Sequence, residues 1–139
     1  MMVVVDTSVW SLAIRRSRTV DHPARAELAR LIQKGTALLL GPVRQELLTG
    51  IRSDAQFETL RAQLRGFPDV RLHASDYEAA AEYTNSCSRK GVQGSTVDFL
   101  ICAVAARRDL PILTTDADFP RYARLVPIRL HEYEKPKAS

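Results

Sequence analysis

A chain of 139 residues suits one hydrophobic core and is short for two. Its composition, 45% hydrophobic and 26% charged, is ordinary for a globular protein in water. No apolar run approaches the ~20 residues of a membrane span. Twenty basic against 16 acidic side chains leave a net charge of +4, a mild surplus that permits a nucleic-acid partner without demanding one. The N-terminus lacks the basic segment, apolar stretch and small-residue cleavage site of a secretory signal, so a cytoplasmic location and no membrane partner are expected.

In chain order, short apolar segments alternate with helical ones. Met2–Val5 reads as a strand running straight into Asp6, with a helix beginning near Ser8. His22 to Lys34 carries Ala24, Leu28, Leu31 and Ile32 at helical spacing, with Asp21 as N-cap and Gly35 as stop. Thr36–Leu40 is a second strand. Val43–Ile51 and Ala55–Arg65 form a helical block broken near Gly50 and Ser53. Val70–Leu72 reads as a strand, and Asp76–Arg89 as a helix led by Ser75. Thr96–Arg108 is the most apolar helix. Ile112–Thr114 and Ile128–Leu130 complete the strands. The alternation predicts an α/β fold with a mainly parallel sheet covered on both faces, one domain over 1–134 and a frayed tail over 135–139. Cys87 and Cys102 form no C-x-x-C pair and read as buried thiols rather than a disulfide or a zinc site.

In parallel sheets ligands gather at the carboxyl ends of the strands, so acids placed there converge from distant parts of the chain. Asp6 ends the first strand, although taken alone it is better explained as the N-cap of the next helix. Glu46, in GPVRQELLTG, lies about one turn into the helix after the second strand, where a solvated Glu favoured by the helix dipole is the plain alternative. Asp98, in GSTVDFLICAVAA, fits a capping box with Ser95. Asp116, in PILTTDADF, ends a strand as Asp6 does, and Asp118 fits an Asx turn. Singly, each has an ordinary explanation. Jointly, two carboxylates ~5 Å apart repel by roughly 3 kcal/mol at an effective dielectric of ~20, so four in one cleft call for protons or cations. Oxygen ligands alone select Mg²⁺ or Mn²⁺ over Zn²⁺.

VVVDTSVW, PVRQELLTG, STVDFLICAVAARRDLPILTTDADF and VPIRLHEY, taken in that order and spacing, resemble the PIN domain, and within it the VapC-like toxins of bacterial toxin–antitoxin pairs. The resemblance implies a three-layer α/β/α sandwich, and metal-binding, catalytic acids at Asp6, Glu46, Asp98 and Asp116, with Asp118 accessory and Thr7 and Ser8 as supporting hydroxyls. It implies a Mg²⁺-dependent endoribonuclease, Mn²⁺ substituting, that cuts structured RNA such as transfer or ribosomal RNA to leave a 5′-phosphate and a 3′-hydroxyl. It also implies a homodimer silenced by a VapB-like antitoxin. No histidine is needed as base, and His22, His73 and His131 lie away from the acidic motifs. Candidate RNA-binding cations are Arg44 and Lys90, then Arg15, Arg16 and Arg18. Trp10 reads equally as a contact residue or a core residue. Gly91 and Gly94 read equally as giving their loop mobility or as ordinary turn residues.

Two rival phosphoryl-transfer folds also place Asp after strand one. Ser8 stands where a haloacid-dehalogenase-type phosphatase needs its second Asp, and a receiver domain's phosphoacceptor and lysine are not found after RLHAS and VPIRL. A PIN nuclease of RNA maturation without an antitoxin, and a non-catalytic RNA-binding PIN module, remain as alternatives.

Overall fold

The computed structural model describes residues 1–14 and 22–134. Strand β1 (Val3–Val5) leads to α1 (Thr7–Ile14); then follow α2 (Pro23–Gln33), β2 (Ala37–Leu38), α3 (Gly41–Leu48), α4 (Asp54–Leu64), α5 (Ala74–Arg89), α6 (Thr96–Arg107), β3 (Ile112–Leu113) and α7 (Asp118–Ala123). The sheet order is β2-β1-β3, parallel throughout, with Val3 opposite Ala37, Val4 opposite Leu38 and Ile112, and Val5 opposite Leu113. Successive strand residues face opposite sides of a sheet, and Val3, Val4 and Val5 are all buried, so helices cover both faces of β1. This is the α/β sandwich expected.

Because β1 is central and its neighbours run parallel to it, the chain leaves all three strands at one edge of the sheet. Asp6 N–H extends the ladder by donating to Leu113 O at 2.9 Å. Helix α6 closes the core beneath that edge. Its residues Phe99 to Ala105 are buried in an unbroken run, as befits a helix apolar on every side rather than along one stripe.

Several expectations are revised. Val70–Leu72 forms no strand; the Arg71 carbonyl accepts from Arg108 Nη2 at 2.8 Å instead of from a neighbouring strand. Ile128–Leu130 contributes a single parallel bridge, Leu130 to Ile112. His22, not Asp21, caps α2, its Nδ1 accepting from Ala24 N–H at 3.0 Å, and Asp21 lies outside the described residues. His73, not Ser75, caps α5, and its N–H donates to Asp76 Oδ2 at 2.8 Å. Helix α7 was not anticipated, because six residues carry little periodicity and Pro120 reads as a breaker; so near a helix start, proline is tolerated. The residues 135–139 and the cations Arg15, Arg16 and Arg18 lie outside the described residues. None of the described helices is long and apolar enough to cross a membrane.

Candidate active site

Asp6 begins α1 through its carbonyl, which accepts from Val9 N–H at 3.1 Å. Its carboxylate has other partners. Ser8 Oγ donates to Oδ2 at 2.7 Å and Thr114 Oγ1 donates to the same oxygen at 2.8 Å. Thr114 Oγ1 in turn accepts from Asp116 N–H at 3.0 Å, and Thr115 N–H donates to Ser8 Oγ at 3.1 Å. The ends of β1 and β3 are thereby stitched together around one carboxylate.

The other acids approach from neighbouring elements. Thr7 Oγ1 donates to Glu46 Oε1 at 2.7 Å, so the residue beside Asp6 holds the acid of α3. Both predicted hydroxyls are engaged, but the Thr7 hydroxyl serves Glu46, while its backbone N–H supports Asp6. Glu46 also lines a cavity of about 350 Å³ together with Val97, the neighbour of Asp98. Asp98 begins α6, where Ser95 Oγ accepts from its N–H at 3.1 Å. The second half of the expected capping box is absent: the Asp98 carboxylate accepts from Tyr122 Oη at 2.7 Å instead. Asp116, not Asp118, makes the Asx turn, Oδ1 accepting from Asp118 N–H at 2.9 Å. Asp118 opens α7 and faces Arg121 at 3.4 Å. Of these acids only Asp116 lines a cavity of about 770 Å³, with Thr114, Thr115, His22, His131 and Tyr133 around it.

Charge separates Asp6 from the other buried acids. Asp6, Glu27 and Asp76 are 3%, 8% and 1% exposed. Glu27 is gripped by Arg30 at 2.6 Å and by His131 at 2.5 Å, and Asp76 by Arg107 at 3.1 Å and Arg108 at 3.2 Å. Among the described residues Asp6 has no basic side chain within 4.0 Å, and neither do Glu46, Asp98 or Asp116. Burial raises the Asp6 pKa above the ordinary carboxylate value; the bonds from Ser8 and Thr114 oppose the rise, and the nearby charge of Asp98 adds to it.

Fit to a metal can be judged from the donors themselves. Among the described residues no three His, Cys, Asp or Glu side chains stand together closely enough to cage an ion, so the tight crowding of all four acids expected from their placement is not present. Oxygen donors that do not close a cage are unlike the tetrahedral sulfur and nitrogen ligands of a structural zinc site. They suit Mg²⁺, which keeps several waters and is bound through one or two carboxylates plus substrate phosphates. Asp6, buried, without a basic partner among the described residues and near the charge of Asp98, is the donor around which such an ion would sit.

A family model described as the PIN domain matches residues 3–125. The chain belongs to the PIN domain family. This PIN domain is 31% identical over 128 residues to "VapC ribonuclease Mb1587" of Mycobacterium bovis and to "Ribonuclease VapC11" of Mycobacterium tuberculosis, matches that span 89% of the chain and 93% of each relative. It lies in the VapC group. The PIN domain also superposes on VapBC2 from Rickettsia felis bound to a promoter DNA fragment, with a TM-score of 0.75 at 18% identity over 96% of this chain and 100% of that one, a likeness of fold.

The remaining sequence candidates of this PIN domain find other roles. Arg44 Nη1 donates to Leu64 O at 2.8 Å and Nη2 to Phe67 O at 3.1 Å, tying α3 to the end of α4. Lys90 is exposed at the C-cap of α5. Trp10 is a core residue, its indole N–H donating to Val5 O at 3.2 Å and its ring set edge-on to Phe67. Gly91, at φ +78°, ends α5 in the left-handed conformation. Thr114 and Tyr122 escaped the sequence reading. A hydroxyl before a strand-end acid and a tyrosine in an apolar setting are the signals that were there.

Proposed function

We propose that this VapC-group PIN domain is the ribonuclease toxin of a toxin–antitoxin pair and cleaves RNA with a Mg²⁺ or Mn²⁺ that Asp6 anchors and that Glu46, Asp98 and Asp116 reach directly or through its waters. One observation carries the reading: of three buried carboxylates, Asp6 alone lacks a basic partner among the described residues. A buried charge left uncompensated costs several kcal/mol, and two hydroxyl donors offset only part of that. A hard dication completes the balance. The names of the relatives, both called ribonucleases, and of the structural neighbour, a VapBC complex, support the same reading.

Each residue then has a task. When bound, the dication acidifies a water and offsets the charge developing on a phosphodiester. Asp6 anchors it from the sheet edge, with Ser8 and Thr114 fixing the rotation of its carboxylate. Glu46, exposed and hydrogen-bonded to Thr7, contributes an acid from α3. Asp98 and Asp116 would meet the ion or its waters from α6 and from the turn after β3, with Asp118 as an accessory acid. In-line attack leaves a 5′-phosphate and a 3′-hydroxyl. The substrate is an unstacked segment of a structured RNA, a transfer or ribosomal RNA, presented to the sheet edge. A VapB-like antitoxin silences the enzyme by occupying that edge.

The test is cleavage of total cellular RNA with Mg²⁺ or Mn²⁺, followed by mapping of the new ends. Cleavage should stop in excess chelator and in Asp6→Asn, whose amide still accepts from both hydroxyls. Binding of RNA with no cleavage under any metal would make this a non-catalytic RNA-binding module instead.

A further inference from the structure

Among the described residues the Asp98 carboxylate has one partner, Tyr122 Oη, which donates to Oδ2 at 2.7 Å, and Oδ1 accepts from none of them. Tyr122 is fully buried and its ring is held on two sides. Phe99, the residue after Asp98, lies 4.9 Å from it centroid to centroid, and Phe119, the residue after Asp118, lies 5.2 Å away edge-on. A third side is closed by backbone: a Cβ at Gly94 would stand 2.2 Å from Tyr122 Oη and 2.8 Å from both its Cζ and Phe99 Cε2. Gly94 is therefore a close-approach glycine that lets the chain lie over the hydroxyl.

Packing alone does not ask for that hydroxyl. A phenylalanine would fill the same space between Phe99 and Phe119 with no polar group to satisfy. What the hydroxyl adds is a fixed orientation for Asp98, with one carboxylate oxygen occupied and the other presented. Partners of ligating carboxylates act in this way on metal affinity. We propose that Tyr122, kept in register by Gly94, is the positioning residue that aims Asp98 at the dication. The inference rests on the metal reading of the acids given above.

Mn²⁺ titration of the wild-type protein and of Tyr122→Phe, read from the free-ion paramagnetic resonance signal, tests it. The dissociation constant should rise about tenfold, at the low end of the ~10–100-fold typical of lost supporting contacts. The metal-free melting temperature should change by only about 2–4 °C, as for one hydrogen bond in a chain of this size. RNA cleavage should lose kcat with KM unchanged. Gly94→Ala, whose Cβ would displace the Tyr122 hydroxyl and crowd both rings, should also weaken Mn²⁺ binding. Mn²⁺ binding equal to or tighter than wild type in Tyr122→Phe overturns the assignment while leaving the metal site standing. No Mn²⁺ binding by the wild type overturns both.

Discussion

Glu27 and Asp6 are both buried carboxylates, and their surroundings drive them in opposite directions. Glu27 accepts from Arg30 Nε at 2.7 Å and Nη2 at 2.6 Å, and these bonds, helped by His131 against the opposing effect of burial, hold its pKa down from 4.5 to about 2. A carboxylate with a depressed folded-state pKa contributes stability that is present above its unfolded value and lost as the pH falls. For Glu27 the loss runs from 4.5 to about 2. Urea denaturation should find Glu27→Gln less stable than wild type at neutral pH, with the gap closing through that window. A gap independent of pH would assign Glu27 a packing role only. Asp76 behaves like Glu27: burial pushes its pKa up, but the His73 N–H and the guanidinium groups of Arg108 and Arg107 outweigh it. Asp6 carries the reverse sign, since its pKa is raised. In metal-free protein its charge is a liability at neutral pH, one that a proton or a dication relieves.

At the scale of elements, the acid-bearing helices are held by contacts that a motif does not display. Arg44 is in α3, two residues before Glu46, and looks in sequence like a phosphate contact. Its guanidinium bonds to Leu64 O and Phe67 O instead. Arg44→Ala should therefore cost about 2 kcal/mol of folding stability by stranding two carbonyls, with little change in KM for RNA; the opposite pattern would return Arg44 to the substrate. Helix α5 is clamped to α6 by Asp76, whose oxygens take bonds from Arg107 and Arg108 at the far end of α6 from Asp98. The N-terminus of α6 is fixed by Ser95 and its C-terminus by Asp76, which leaves Asp98 on a stiff support.

For the molecule as a whole, the parallel order β2-β1-β3 sets where the strand-end residues of the proposed site meet. It gathers Asp6, the entry to α3 and the Thr114–Asp116 turn at one edge, where no described basic side chain neutralises the four acids. A ligand that binds only the folded state adds about 2.7 kcal/mol at a hundred times its dissociation constant. In a chain of this size that is a rise in melting temperature of about 5–10 °C. Saturating Mn²⁺ should produce such a shift in the wild type and not in Asp6→Asn. An equal shift in both would put the ion elsewhere.

The amino-acid sequence by itself determined the strand that ends in Asp6, the strand that ends before Asp116, the apolar helix opened by Asp98, and hence the order in which the acids reach the sheet edge. These are local matters: β-branched runs, caps and stops act over a few residues. Only the tertiary structure decided which hydroxyl serves which acid. Thr114 reaches Asp6 across 108 residues and Tyr122 reaches Asp98 across 24. It also decided that Arg44 braces a helix and that Trp10 is core. Such bonds depend on how helices pack against the sheet, and side-chain polarity declares that a partner is needed without declaring which.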